Sequence, residues 1–262
     1  MEIRNRIALV TGGAHRVGKS IALALAAEGA HTIITYLSAA DEAMRTVRDI
    51  EACDVQALSI KADQRDPAQI DTLFAAIRDR FGRLDILVNS AAIMERRTIF
   101  DITPDDWDRT LDTNLRGPFF VTQAAAQLMR EKHPERSPSA SLRINSAESK
   151  DATGCIINIA DSSALHPWPS YIAHTVSKAG LVALTQALAV ALAPSIRVNA
   201  IAPGAVLKPQ NWSDEQWAKL TARIPLQRHG TPEDVAQAVL YLIRSDFVTG
   251  QLLVLDGGRE LR

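Results

Sequence analysis

The sequence predicts an α/β fold, a parallel sheet covered by helices on both faces. Three observations carry that expectation. Short apolar runs alternate with longer helical patterns along the chain. The runs lack a clean period of two, as strands buried on both sides should. A glycine-rich turn joins the first run to the first helical segment, where a doubly wound sheet can meet a phosphate.

Each element follows in order. "RIALVTG" (6–12) reads as a buried strand and "VGKSIALALAAEGA" (17–30) as a helix ending at Gly29. "HTIITYL" (31–37) is β-branched and strand-like, residues 39–52 look helical, and "VQALSIKAD" (55–63) returns to strand. "PAQIDTLFAAIRDRFG" (67–82) starts with proline and ends with glycine, as a helix should. "LDILVNSA" (84–91) is a strand, and helices follow at 104–116 and 118–131. "GCIINIAD" (154–161) is a strand, 170–193 a long helix and "IRVNAIAPG" (196–204) a strand. A helix at 232–244 and the strand "QLLVLDGG" (251–258) close the series.

Composition narrows the function classes. The 262 residues show no internal domain boundary and no repeat, so 1–262 reads as one domain. Lys plus Arg is 29 and Asp plus Glu is 30, a net charge of −1 that favours neither a nucleic-acid nor an anionic-membrane partner. Cys53 and Cys155 have no metal-ligand or framework spacing and read as small apolar residues in a reducing compartment. His133, His166 and His229 form no metal-ligand spacing either, so no metal is expected. The N-terminal apolar run of four residues is too short for a signal peptide, and no uninterrupted apolar stretch reaches membrane-spanning length. A cytoplasmic location is therefore expected. The segment 131–154 is polar and Ser-rich with two prolines, and reads as a solvated insertion away from the ligand end of the sheet.

"VTGGAHRVGKS" (10–20) carries the first chemical signal. Gly12, Gly13 and Gly18 permit a tight turn and close backbone approach to a ligand, and the helix beyond offers N–H groups to a phosphate. At the end of the second strand, where enzymes preferring NAD often place an acid, stands Tyr36. His15, Arg16 and Ser38 leave room for a 2′-phosphate, which leans toward NADP(H). Asp63 ends the third strand, where it reads either as a contact to adenine or as a cap for the next helix. The second signal is "SYIAHTVSKAG" (170–180), which puts Tyr171, His174 and Lys178 on one helical face, with Asp161 ending the preceding strand.

Together these motifs resemble the short-chain dehydrogenase/reductase family: "TGGAHRVG" (11–18), "AD" (62–63), "NSAA" (89–92), "DTNLRGPFF" (112–120), "HTVSK" (174–178), "RVNAIAPG" (197–204) and "VTGQLLVLDGG" (248–258), in that order. The resemblance implies a single Rossmann-like doubly wound domain with a seven-stranded sheet, and hydride transfer between a nicotinamide and a carbonyl, alcohol or imine. It places the cofactor along Gly12, His15, Arg16, Val17 and Gly18, then Tyr36, Leu37 and Ser38, then Asp63 and Gln64. Further along it adds Asn89, Ser90 and Ala91, then Lys178, then Pro203, Gly204 and Val206. It implies that Asn114 holds a water and the helix backbone positioning Lys178, and that Lys178 binds the nicotinamide ribose. A homo-oligomer, tetramer or dimer, is implied too, and the apolar helix 170–193 suits burial between subunits.

Within the family the sequence is most similar to pteridine reductases and dihydromonapterin reductases, which share Arg16 and have aspartate in the place of Asp161, where most members have serine. Two departures qualify the likeness. The family's catalytic tyrosine position is His174, with Tyr171 one turn earlier, and the position of the phenylalanine that sandwiches a pterin is Ile93. The expected catalytic set is Asn114, Asp161, His174 and Lys178, and the expected substrate wall is Arg16, Ile93, Asp161, Tyr171 and Trp217. Trp217 lies with Trp212 in "NWSDEQWAKL" (211–220), read as a helix over the substrate pocket. The reading is an NADPH-dependent reductase of a pterin-like or other small cyclic carbonyl or imine. The alternatives are a 3-oxoacyl or sugar-type carbonyl reductase, and a nucleotide-binding protein whose catalysis is impaired by His174.

Overall fold

A computed structural model describes residues 1–131, 152–209 and 212–261. Seven strands form one parallel sheet: β1 (Ile7–Val10), β2 (His31–Tyr36), β3 (Ala57–Lys61), β4 (Ile86–Asn89), β5 (Gly154–Ile159), β6 (Ile196–Pro203) and β7 (Leu252–Leu255). Their spatial order is β3-β2-β1-β4-β5-β6-β7, so the connection from β3 to β4 crosses over β1 and β2. The chain reverses its direction of winding between β1 and β4, and a crevice opens there at the carboxyl ends of the strands.

The central strands β1, β4, β5 and β6 are buried on both faces. Along β1, Ala8 and Val10 enter one apolar cluster and Ile7 and Leu9 enter another, across the sheet. The first cluster is closed by α1 (Arg16–Ala27) and α8 (Pro232–Arg244), through Ile21, Leu25, Val235 and Val239. The second is closed by α3 (Pro67–Phe81) and α5 (Gly117–Glu131), through Leu73, Ile77, Leu128 and Met129. This two-sided burial is why the strands carry no polar alternate.

Three other helices shape the site. The stretch expected as one helix at 104–116 divides into α4 (Pro104–Leu111) and a π-helical turn, Asp112–Arg116, before α5 begins. The long helix α6 (Ile172–Leu192) packs along β6 and carries His174 and Lys178 inward. Its length and composition would allow it to cross a membrane, but it buries five polar residues, His174, Thr175, Ser177, Lys178 and Thr185, within the fold. The short α7 (Asp214–Thr221) stands over the carboxyl end of the sheet, and α2 (Ala40–Glu51) lies between β2 and β3 in the chain. The polar segment 131–154 lies almost wholly outside the described residues, which include only Glu131 at the end of α5 and residues 152–154 at the start of β5.

Candidate active site

A cavity of about 980 Å³ occupies the crevice and runs from the end of β2 to α7. Its first wall is the glycine turn. The Gly12 N–H donates to Thr35 Oγ1 at 3.2 Å, and the Gly13 N–H to the Thr35 carbonyl at 3.1 Å, which ties the turn to β2. A Cβ on Gly18 would lie 2.2 Å from the Gly12 carbonyl oxygen, and one on Gly12 would lie 2.9 Å from the Ala91 Cα. The turn therefore closes only with glycine at these places. His15 precedes α1 in extended conformation and gives the helix no side-chain cap, whereas Asp66, Thr103, Ser213 and Thr231 cap α3, α4, α7 and α8. The N-terminus of α1 thus meets the cavity without a side-chain cap.

His15, Arg16, Val17, Tyr36, Leu37 and Ser38 line this end with the glycines. Arg16 has a φ of 54°, the left-handed conformation that glycine adopts most easily. Asp63 and Gln64 also reach the wall, but their side chains are engaged. The Asp63 carboxylate holds Arg65 through a fork of contacts at 2.6 to 3.0 Å, and that guanidinium keeps the carboxyl below its ordinary range. Gln64 Nε2 donates to the Thr113 carbonyl at 2.6 Å and the Ala91 carbonyl at 3.2 Å. Ser90 and Ala91 line the middle, where both N–H groups donate to Thr11 Oγ1, and Pro203, Gly204 and Val206 face them from β6 and the loop after it.

The reacting end is built by α6, the end of β5 and the π turn. His174 is 4% exposed, and its Nδ1 lies 3.1 Å from the Ile93 carbonyl. A carbonyl can only accept, so Nδ1 carries the ring proton in the neutral imidazole. Nε2 is then a lone pair; it has no hydrogen-bond partner and lies 3.9 Å from Asp161 Oδ2, an ion-pair separation rather than a bond. Asp161 Oδ1 accepts from the Ser163 N–H at 2.7 Å. Burial pushes the Asp161 carboxyl up, but the His174 imidazole and Ser163 outweigh it and hold the group below its usual value. Lys178 donates to the Ile159 carbonyl at 2.8 Å, and burial lowers its ammonium to about 8, with Asp161 opposing the shift.

Asn114 sits in the π turn, fully buried and not on the cavity wall. Its amide accepts from the Ile93 N–H at 2.9 Å and donates to the Ile93 carbonyl at 2.8 Å and to Ser177 Oγ at 3.0 Å. Asn114 therefore fixes the carbonyl that orients His174. Lys178 is bonded to the end of β5. Asn89 departs from its expected place on the cofactor wall. It is buried, its amide bonds Thr122 Oγ1 and Asn158 Oδ1, and it belongs to the core between β4 and β5 rather than to the wall.

Past His174 the cavity becomes aromatic. Tyr171 and Trp168 meet edge to face with ring centres 5.8 Å apart, and Trp212 meets Trp217 in the same way at 6.3 Å. Ile93 lines the cavity nearby and Trp217 packs 5.2 Å from the His229 ring. Trp168 and Arg259 also stand on this wall, and neither was expected from the sequence. No local motif marks them; they arrive through the segment after β5 and the turn after β7. Among the described residues no group of His, Cys, Asp and Glu is placed to hold a metal.

A family model described as enoyl-(acyl carrier protein) reductase matches residues 12–260. The chain is similar to the (2S)-((R)-hydroxy(phenyl)methyl)succinyl-CoA dehydrogenase subunit BbsD of Thauera aromatica, with 35% identity over 100% of this chain and 99% of that protein. It is 31% identical to the 3-oxoacyl-(acyl-carrier-protein) reductase FabG of Staphylococcus aureus, over 96% of each. Among solved structures, a short-chain dehydrogenase/reductase from Serratia marcescens superposes with a TM-score of 0.86 at 31% identity, covering 99% of both chains. A dehydrogenase/reductase from Sinorhizobium meliloti gives 0.84 at 34% identity, over 98% of this chain and 97% of the other.

Proposed function

This chain belongs to the short-chain dehydrogenase/reductase family of oxidoreductases, and we propose that it uses NADP(H) to reduce a small ring-bearing carbonyl or imine, with His174 moving the proton. The observation that carries this reading is the orientation of His174: Nδ1 is committed to the Ile93 carbonyl and the partnerless Nε2 is left to the reaction.

The cofactor reading rests on fit. The glycines leave no room for a Cβ, the N-terminus of α1 is uncapped, and Tyr36 stands where an acid would select the 2′-hydroxyl. When bound, the nicotinamide supplies the hydride. The residues do the rest. In its charged form His174 donates from Nε2 to the substrate oxygen or nitrogen as the hydride arrives; in its neutral form the same lone pair accepts a proton from an alcohol in the reverse direction. The ionised Asp161 carboxylate lies 3.9 Å from His174 Nε2, and the Lys178 ammonium adds positive charge at the same end of the cavity.

Two substrate readings each have support. Arg16, Asp161 and the aromatic side chains that line the same cavity favour a planar pterin-like ring. The names of the relatives favour a 3-oxoacyl or hydroxyacyl compound, and Ile93 offers no aromatic face. Consumption of NADPH and of NADH with 7,8-dihydrobiopterin, acetoacetyl-CoA and an aryl ketone separates them. We expect turnover with NADPH preferred, and His174→Ala to cost roughly 10²-fold or more in kcat. His174→Tyr should keep activity beside Lys178. A His174→Ala enzyme with unaltered rate and pH profile would remove His174 from the mechanism, and binding of NADPH without turnover of any compound would favour a catalytically impaired protein. We further propose a cytoplasmic homo-oligomer with a small-molecule substrate and neither nucleic acid nor membrane as partner.

A further inference from the structure

We infer that the substrate carries an anionic group, a carboxylate on an aromatic or similarly planar carbonyl compound, and that Arg259 binds it. This rests on the carbonyl-reducing reading above and specifies what that site selects.

The argument starts from the place of Arg259. The turn after β7 is pinned at both of its sides. On one side the Leu226 N–H donates to the Gly257 carbonyl at 3.2 Å, and a Cβ on Gly257 would lie 2.6 Å from Ile224, just beyond α7. On the other side Glu260 pairs with His166 at 3.2 Å, on the segment that carries Trp168 and Tyr171. The turn that carries Arg259 is therefore tied to the segments next to both aromatic pairs, and Arg259 lines the same cavity as they do.

Its charge is free. Of the other cavity arginines, Arg65 and Arg109 are each paired, with Asp63 at 2.6 Å and with Glu95 at 2.7 Å, and Arg16 belongs to the glycine turn. Among the described residues Arg259 has no carboxylate partner, although it is half-buried; the nearby Glu260 carboxylate is engaged by His166, and the Asp256 carboxylate accepts from the Gly258 and Glu260 N–H groups. A guanidinium offers a planar fork that suits a carboxylate. Three of the chain's four tryptophans line the same cavity. Aromatic faces bind a planar ring, and a cation at the end of the slot orients it. An acid fixed at Arg259 would place its ring among these aromatic side chains and leave its carbonyl toward His174 Nε2.

The test pairs acids with their methyl esters. Phenylglyoxylate and 4-oxo-4-phenylbutanoate place a carboxylate at two spacings from an aryl ketone, and each ester removes only the charge. For at least one pair the acid should have a KM about ten-fold or more below that of its ester, the scale of one charge-assisted contact. Arg259→Gln should collapse that ratio toward one, and Arg259→Lys should restore part of it. Equal KM values for acid and ester in the wild type, or a ratio unchanged by Arg259→Gln, would overturn the inference. If no aryl ketone is turned over, the reducing function on such compounds fails, but quenching of tryptophan fluorescence by the acids still decides. Acid binding lost in Arg259→Gln upholds the anion site, and no preference for acid over ester overturns it. A Tm of Arg259→Gln matching the wild type excludes simple unfolding of the turn.

Discussion

Lys178 is 4% exposed, and its ammonium is bonded to the Ile159 carbonyl. Burial lowers its value from 10.5 to about 8 in the folded chain, while the unfolded chain keeps the ordinary value. Between those limits the unfolded state binds the extra proton, so stability should rise with pH. The destabilisation is fully present below pH 8 and is gone above 10.5. A gap of this size is worth on the order of 3 kcal/mol. Thermal melts of the wild type and Lys178→Met across that window should show the rise only where the lysine is present; parallel curves would contradict it. The same residues show how far a sequence carries at this scale. The spacing of His174 and Lys178 was legible because helical periodicity puts them on one face. Asn89 was misplaced because being last in a strand says nothing about which side its chain takes. Register with Asn158 and the neighbouring Thr122 turned it into the core.

Elements were legible wherever apolar periodicity and end signals agreed, as in α3 with its proline start and Gly82 end. The π turn at Asp112–Arg116 was not, because one wider turn inside a helical run leaves no periodic trace. It matters to the site, since it carries Asn114 to the Ile93 backbone. The turn into α1 is another case of local conformation behind a motif. Arg16 adopts a φ of 54° at the first position of the helix, which costs a non-glycine residue about 1 kcal/mol. Selection of a side chain there is therefore expected to serve a ligand. Arg16→Gly should leave Tm unchanged or slightly raised, while the Kd for NADPH or the substrate KM increases several-fold. If Tm falls and neither constant moves, the arginine serves the fold alone. Gly18→Ala should behave in the opposite way, because its Cβ would meet the Gly12 carbonyl and distort the turn itself.

The whole molecule follows from the alternation of strand and helix, and the sheet order places the crevice where the glycine motif lies. Chemistry at the far end of the cavity could not be read in advance. Trp168 and Arg259 are separated by 91 positions in the chain, a span given by their numbers, and only the closed fold brings both onto one wall. The outer face of α6 remains to be explained at this scale. Its buried stripe, His174, Lys178, Leu181, Thr185 and Ala189, faces the sheet. Its exposed positions are Val176, Ala179, Ala183, Gln186, Ala187, Val190 and Ala191, with Val190 82% exposed and no charge among them. A solvated helix face normally carries charged residues, and small side chains allow another helix to approach closely. A second copy of the chain, related by a two-fold axis that sets α6 beside its equivalent, would cover this stripe. Ala183 lies near its middle, so Ala183→Arg would put two charges into a symmetric contact. Light scattering at micromolar concentration should give a dimer or tetramer for the wild type and a smaller species for Ala183→Arg. Because α6 also carries His174 and Lys178, the dissociated variant should lose activity together with assembly. A monomeric wild type, or an Ala183→Arg protein of unchanged mass, would mean that this face is not the subunit contact.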